Sequence, residues 1–161
     1  MQTFHTTGVD ITIEKHIPVA GGLGGSSADV AGVLIAMNHL YKVGGALKPL
    51  AEKISSDGGY MLHGGYCLLR GRGEQIEKLD LSTKLYAIIV TDKQGITAKE
   101  AYKIYDDLDL HDFECTDDAV MLLKKGDVSE FCKIAKNDLY NATITKIPEL
   151  KDTIAKLIEA D

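Results

Sequence analysis

The sequence lacks a surplus of basic residues. Lys and Arg number 18 against 24 Asp and Glu, which gives the 161-residue chain a formal net charge of -6. Proteins that bind a nucleic-acid backbone usually carry a clustered basic surplus that releases counterions. We therefore expect no nucleic-acid partner, and we expect any anionic ligand to be held by local groups.

Cysteines and long apolar runs are also scarce. Cys67, Cys115 and Cys132 are odd in number, and their wide spacing fits neither a disulfide framework nor a zinc site. No apolar run reaches the ~18 residues of a membrane helix, and the N-terminus lacks the basic-then-apolar order of a signal peptide. The sequence thus predicts a soluble cytoplasmic protein with reduced thiols and no membrane partner, and it indicates no metal-ligating residues.

What the sequence does have is enough apolar residues for a core, 45% of the total, in the length of one ordinary domain. Residues 9–15, "VDITIEK", alternate apolar and polar side chains and predict a strand. Residues 28–42 have helical periodicity and precede a glycine pair, and a second helix is predicted over about 47–55. The segments "YCLLR" (66–70) and "LYAIIVT" (85–91) predict two buried strands, the first followed by a "GRGE" turn.

The sequence after Thr97 predicts helices almost throughout. Thr97 and Thr116 are the expected N-caps of two of them, and further amphipathic runs occupy about 128–140 and 148–159. Three predicted strands leave open edges that a complete domain would pair or cover. We therefore expect missing strands, a chain truncated at both ends, and self-association through the open sheet edges.

The stretch "PVAGGLGGSSADVAGVLIAMNHL", residues 18–40, carries the strongest chemical signal. Five glycines lie between residues 21 and 32, and Ser26 and Ser27 stand where an N-cap is expected. Free N–H groups and the positive end of the helix dipole can hold a phosphate there without Lys or Arg. The alternative is a flexible strand-to-helix connection with a serine cap. Neither the dinucleotide fingerprint nor the Walker loop fits, because position 27 is serine and no Lys-Ser or Lys-Thr follows the last glycine.

A third glycine pattern does fit. The segment "IEKHIPVAGGLGGSSADVAGVLIAMNHL" resembles the proline-x-x-x-glycine-leucine-glycine-x-serine-serine-alanine loop of the GHMP kinases. "AEKISSDGGYMLHGGYCLLRGRGE", "GITAKEAYKIYDDLDL" and "KNDLYN" are similar to later segments of the branch that phosphorylates 4-diphosphocytidyl-2-C-methyl-D-erythritol in isoprenoid synthesis. The resemblance covers about residues 8–161.

This resemblance implies an α/β fold of the GHMP-kinase, ribosomal protein S5 domain 2-like type, here incomplete. A partial nucleotide-binding domain is expected over residues 1–95, and a partial helical C-terminal domain over 96–161. Helix 28–42 should pack on a mixed sheet that contains strand 9–15.

The resemblance also implies the site and its cofactors. ATP and Mg²⁺ are the expected cofactors, a small molecule is the substrate, Asp57 matches the catalytic base and Tyr102 matches an aromatic residue that stacks on cytosine. The residues that match the family's ATP-binding loop are Pro18, Gly21, Gly22, Leu23, Gly24, Gly25, Ser26, Ser27 and Ala28. Asp29 could order the metal or interact with the helix dipole.

Three departures separate the sequence from the family pattern. Nothing before Gly8 matches the family's lysine-bearing strand or its Gly-Tyr-His segment, and the last glycine-rich loop, Ser-Gly-Ser-Gly-Pro, has no counterpart. "DGGY" replaces Asp-Val-Pro-aromatic, so two glycines are expected to loosen the backbone beside Asp57. A second hypothesis is therefore a truncated, catalytically inactive relative that binds nucleotide or self-associates, and a third is a structural module in which the glycine loop is only a turn.

Overall fold

The structure, a computed structural model, describes residues 8–42, 44–108 and 115–160. These residues form eight helices and one two-stranded antiparallel sheet, a mixed α/β structure. They divide into two compact units, one of residues 8–18 and 23–81 and the other of residues 19–22 and 82–160. The predicted domain boundary near residue 95 and the S5-like layer arrangement stay predictions.

The first unit contains three helices and both strands. The elements are α1 (Gly25–Tyr41), α2 (Lys48–Ile54), α3 (Gly58–His63), β1 (Cys67–Arg70) and β2 (Gln75–Lys78). Helix α1 buries Ala31, Leu34 and Met37, which recur at helical spacing, and it contacts α2 and α3. Helix α1 thus begins three residues earlier than predicted, and α2 agrees with its predicted range.

Two glycines allow α3 to lie directly against α2. A Cβ atom on Gly58 would stand 2.8 Å from the carbonyl oxygen of Ala51, which is itself fully buried in α2. Gly59 is also buried, and a Cβ there would meet Glu52 and Ile76 at about 3.1 Å. The two glycines after Asp57 therefore lie in helix α3 and allow it to pack closely against α2. The expectation that they loosen the backbone was wrong. Helix α3 itself was not predicted.

The sheet is a hairpin in which Cys67 faces Lys78 and Arg70 faces Gln75. The glycines of the "GRGE" turn, Gly71 and Gly73, have φ of 68° and 104°, values that favour glycine. The prediction of β1 and its turn is confirmed. The second strand, β2, was missed because its four residues carry no clear apolar alternation.

The strands predicted at residues 9–15 and 85–91 were wrong. Neither segment has strand structure, and their apolar side chains are largely exposed, with Ile88 at 93%. A strand needs a second backbone beside it, and no described residue pairs with either segment. Helix α1 consequently does not pack on a sheet that contains residues 9–15.

In the second unit the regular structure is entirely helical among the described residues. Its helices are α4 (Ala98–Asp107), α5 (Thr116–Lys125), α6 (Val128–Ile134), α7 (Tyr140–Lys146) and α8 (Leu150–Glu159). Helix α4 contacts α7, and α5 contacts α6. The buried apolar residues of these helices and of the turn after α7 are Ala101, Leu123, Ala142 and Ile147.

Helix α4 begins with the predicted cap. The Thr97 hydroxyl accepts a hydrogen bond from the Glu100 N–H, and the Glu100 carboxylate accepts one from the Thr97 N–H, which makes a capping box. The pKa of Glu100 lies below its ordinary value, mainly because the Thr97 hydroxyl and backbone N–H donate hydrogen bonds to its carboxylate. The nearby Lys146 ammonium lowers it further.

Two helix boundaries differ from prediction. The N-cap of α5 is Cys115, and Thr116 is the first helical residue, so the predicted cap at Thr116 was wrong. The predicted run 128–140 stops at Ile134, because Ala135 is extended and the Asn137 side chain accepts a hydrogen bond from the Leu139 N–H. None of the described helices has both the length and the apolar character needed to cross a bilayer.

Candidate active site

Gly24 sets the start of α1. It is the N-cap, with φ 64° and ψ 21° in the left-handed region, and its carbonyl oxygen accepts the first helical hydrogen bond from the Ala28 N–H. Ser26 and Ser27 lie inside the first turn, so the predicted serine cap was wrong. Glycine stands at the N-cap because a side chain would strain a left-handed backbone by about 1–2 kcal/mol.

The first turn of α1 presents free backbone donors. Within the described part of the chain, neither a backbone nor a capping side chain accepts a hydrogen bond from the N–H groups of Gly25, Ser26 or Ser27. These groups lie at the positive end of a 17-residue helix. The arrangement can hold an anion such as a phosphate.

The two serines of the first turn differ in their surroundings. Ser27 is only 7% exposed, and its hydroxyl lies 2.5 Å from the Ser55 hydroxyl, just after α2. Ser26 is exposed. The buried hydroxyl pair therefore ties α1 to the segment that leads into Asp57, and only Ser26 presents its hydroxyl to solvent.

Asp57 lies beside the start of α1. It occupies the N-cap position of α3 without a side-chain capping bond, and its side chain is exposed. One carboxylate oxygen, Oδ2, lies 4.0 Å from the point where a Cβ on Gly24 would stand. The structure thus brings together two residues, 33 positions apart in the sequence, that the sequence separately indicated as base and phosphate loop.

Lys15 is a charged residue at this site that sequence analysis did not single out. Its ammonium pairs with the Asp29 carboxylate and lies 3.7 Å from the point where a Cβ on Gly25 would stand. Ile17 packs on the same glycine, at 3.0 Å from that point. The signal that could have found Lys15 is its position three residues before the Pro18 of a loop that otherwise has no cation. Asp29, whose role was open, is thus an ion-pair partner in this structure.

The remaining loop residues extend into the second unit. Gly21 and Gly22 are exposed, and nothing lies within 4 Å of a Cβ position on Gly22, whose φ is 72°. The Ile96 N–H donates to the Ala20 carbonyl oxygen over 3.1 Å, which holds residues 19–22 within that unit. Pro18, Leu23 and Ala28 belong to the first unit.

Tyr102 projects from α4 in the second unit and is 60% exposed. It lines an open cavity of about 390 Å³. The other lining residues are Tyr105, Lys136, Asn137, Asp138 and Leu139. Two aromatic rings next to amide and charged side chains can take a flat, polar ring.

Mg²⁺ is the metal ion implied by the resemblance to kinases. Among the described residues, no three His, Cys, Asp or Glu side chains are grouped to hold a metal ion. Mg²⁺ is usually bound through one or two carboxylates together with substrate phosphates rather than by a protein cage. The exposed carboxylate of Asp57, which lies beside the start of α1, fits that mode.

Part of the chain matches a known protein family. Residues 1–65 match the family described as "GHMP kinases N terminal domain", a range that includes both the start of α1 and Asp57. Over these residues the chain is similar to the N-terminal domain of the GHMP kinases. Sequence similarity is not limited to residues 1–65, since curated proteins align with nearly the whole chain.

Three of these relatives carry the same name, 4-diphosphocytidyl-2-C-methyl-D-erythritol kinase. The protein of Pelotomaculum thermopropionicum is 36% identical over 157 residues, covering 95% of this chain and 54% of the relative. That of Mycolicibacterium smegmatis is 35% identical, covering 94% and 50%, and that of Syntrophomonas wolfei is 37% identical, covering 96% and 55%. The chain spans about half the length of the curated relatives it matches.

Proposed function

We propose that the protein acts as an ATP-dependent kinase that phosphorylates a hydroxyl group of 4-diphosphocytidyl-2-C-methyl-D-erythritol. The names of the curated relatives support this substrate. The observation that carries the proposal is the position of the Asp57 carboxylate beside Gly24, the N-cap residue that precedes the free N–H groups of α1. A cytoplasmic location and the lack of a nucleic-acid partner stay predictions.

The start of α1 binds the ATP phosphates in this proposal. The N–H groups of Gly25, Ser26 and Ser27 donate to phosphate oxygens, and the helix dipole adds a favourable field. Gly24 keeps side-chain atoms away from the phosphates. The exposed Ser26 hydroxyl supplies one more donor, whereas the Ser27 hydroxyl stays bonded to Ser55.

Asp57 is the proposed base. Its carboxylate takes the proton of the substrate hydroxyl as that oxygen bonds to the γ-phosphorus of ATP, while the bond from this phosphorus to the β–γ bridging oxygen breaks and ADP leaves. Mg²⁺ bound with the nucleotide supplies neutralisation of phosphate charge. Most of the rate comes from alignment and charge neutralisation, which require few protein groups.

The cavity beside Tyr102 is the proposed site for the cytosine ring of the substrate. Stacking on Tyr102 or Tyr105 buries the ring faces, and the polar groups of Asn137 and Asp138 can pair with its edge. Tyr102→Ala should therefore raise the KM for the cytidylyl substrate while leaving the affinity for ATP unchanged.

The proposal is tested by replacing Asp57 with Asn, which keeps the shape and removes the proton acceptor. Turnover with ATP, Mg²⁺ and 4-diphosphocytidyl-2-C-methyl-D-erythritol should fall by about tenfold or more, within the range of general-base effects. ATP affinity, measured by titration with a fluorescent analogue, should change little.

The matched control is Glu77→Gln, which removes an exposed carboxylate from β2 in the same unit. This variant should keep the parent's turnover. Equal turnover in Asp57→Asn would show that Asp57 is not the base. ATP binding without any turnover in the parent would instead support the inactive nucleotide-binding relative.

A further inference from the structure

The ion pair of Lys15 and Asp29 lies at the start of α1, where the phosphates are proposed to bind. Asp29 is the fifth residue of the helix, and the Lys15 ammonium lies within 4 Å of the Cβ position of Gly25, the first residue. Contact between Ile17 and Gly25 holds the segment that carries Lys15 against the helix. The cation is thus fixed beside the free N–H groups and not merely present in the same region.

The charges around these donors oppose one another. The carboxylates of Asp29 and Asp57 both lie near the first turns of α1 and would repel a phosphate. Lys15 supplies a positive charge against the first turn, and its ammonium is paired with the Asp29 carboxylate. Whether this region attracts or repels an anion therefore depends on which group Lys15 neutralises.

Exchange of Lys15 between two anions is energetically accessible. Both side chains of the pair are about 30% exposed. Ion pairs with such access to solvent contribute little to stability. A phosphate group carries more charge than a carboxylate and accepts strong charge-assisted hydrogen bonds, so it can displace Asp29 from the lysine.

We propose that Lys15 binds the nucleotide phosphates at the start of α1 and that Asp29 competes with them for its ammonium. This inference rests on the proposed function, because it assigns the charge balance of the same phosphate site. Asp29 thereby lowers the affinity for nucleotide in the resting protein. The lysine remains neutralised whether or not nucleotide is bound.

Titration with a fluorescent ATP analogue and Mg²⁺ tests the proposal in four proteins: the parent, Lys15→Gln, Asp29→Asn and the double variant. Lys15→Gln should weaken binding by about tenfold, the lower range for a hydrogen bond to a charged group. Asp29→Asn should tighten binding severalfold, because the lysine is then available to phosphate. The double variant should lose that gain, since the benefit of Asp29→Asn depends on Lys15.

Lys53→Gln is the matched control, because Lys53 is an exposed lysine near the end of α2 in the same unit. It should bind the analogue as the parent does. Lys15→Arg, which keeps the charge, should retain most of the affinity, and circular dichroism checks that each variant is folded. If Lys15→Gln does not fold, the effect of Asp29→Asn alone decides: tighter nucleotide binding supports the proposal, and weaker binding contradicts it.

Two results would overturn the inference while leaving the proposed function intact. One is parent-like affinity in folded Lys15→Gln, and the other is weaker binding in Asp29→Asn, which would mark the ion pair as a structural tie. A folded parent that does not bind the analogue at all would contradict both proposals.

Discussion

At the scale of single residues, glycine at position 24 is required for two separate reasons. Its backbone is left-handed at φ 64°, and a Cβ there would stand 2.5 Å from the terminal carbon of Met61 and 4.0 Å from the Asp57 carboxylate. The first reason concerns strain at the helix start, and the second concerns crowding, for which the movable end of the Met61 side chain would have to shift. A substitution at Gly24 changes the backbone strain and the available space together, so a control variant is needed to separate the two effects.

Gly24→Val should abolish detectable nucleotide binding while the helical content stays intact. The branched side chain fills the space next to the first-turn N–H groups and resists positive φ, at a cost of about 1–2 kcal/mol in stability. Titration with fluorescent ATP measures the first effect, and circular dichroism with urea unfolding measures the second.

Gly44→Val is the control for backbone strain alone. Gly44 has a similar φ of 54°, and nothing lies within 4 Å of its Cβ position. It should lose similar stability and keep its nucleotide affinity. Unchanged affinity in folded Gly24→Val would remove the phosphate site from the start of α1.

At the scale of helices, the packing of α3 on α2 depends on the absence of a side chain at Gly58. The neighbouring atom is a backbone oxygen, which cannot move as the end of a flexible side chain can. This packing also positions Asp57, which immediately precedes α3. The helix pair thus connects fold stability with the placement of the proposed base.

Gly58→Ala should destabilise the protein by about 1–3 kcal/mol, the usual cost of overpacking. Gly32→Ala is the matched substitution, because Gly32 is also helical but has nothing within 4 Å of its Cβ position. That variant should be more stable by about 0.5–1 kcal/mol, since alanine is the better helix former. Urea unfolding measures both, and equal signs would contradict the described contact between α2 and α3.

The capping box of α4 predicts a dependence of stability on pH. Because the pKa of Glu100 is lowered in the folded state, its contribution is present above the ordinary pKa of glutamate and is lost as pH falls through the folded-state pKa. Glu100→Gln should therefore be less stable than the parent at pH 7. The difference should shrink steadily towards pH 3.

Thermal unfolding of both proteins across this pH range measures the effect, with Glu159→Gln as a control because Glu159 ends α8 and caps no N-terminus. A difference between parent and Glu100→Gln that is constant with pH would show that the carboxylate does not act through its charge. Thr97→Ala, which removes the hydroxyl acceptor of the same box, should cost about 1 kcal/mol.

At the scale of the whole molecule, two apolar segments without helix or strand structure are exposed among the described residues. Residues 85–90 expose Tyr86, Ile88 and Ile89 by 65–93%, and Val9, Ile11 and Ile13 are exposed in the other unit. Apolar, β-prone segments with unpaired backbone groups tend to pair with another chain. Self-association therefore stays a prediction, and these exposed segments, rather than sheet edges that include residues 9–15, are the contacts that we expect.

Ile88→Lys should reduce concentration-dependent association, because a charge on the exposed segment opposes pairing between copies. Sedimentation velocity over a range of protein concentrations measures the change. Ile158→Lys is the control, since Ile158 is 73% exposed but lies on helix α8 rather than in a segment without helix or strand structure. Similar association in the parent and in Ile88→Lys would exclude this segment as the contact.

Local features of the protein were predictable from its sequence. The apolar periodicity indicated α1, and Thr97 indicated the start of α4, whereas the anion site indicated by the glycine-rich stretch stays a prediction. Each of these depends on residues within a few positions of one another, through backbone conformation, helical spacing or a hydrogen bond across one turn.

The tertiary structure decided the features that depend on contacts between residues far apart in the sequence. Residues 9–15 and 85–91 have the pattern of strands, yet strand structure depends on a partner that the pattern cannot supply. Lys15 and Asp57 reach the start of α1 because Gly24, Gly25 and Gly58 allow close approach of segments far apart in sequence. The charge balance of the proposed phosphate site thus arises from packing, whereas the residues that form its helix were visible in the sequence.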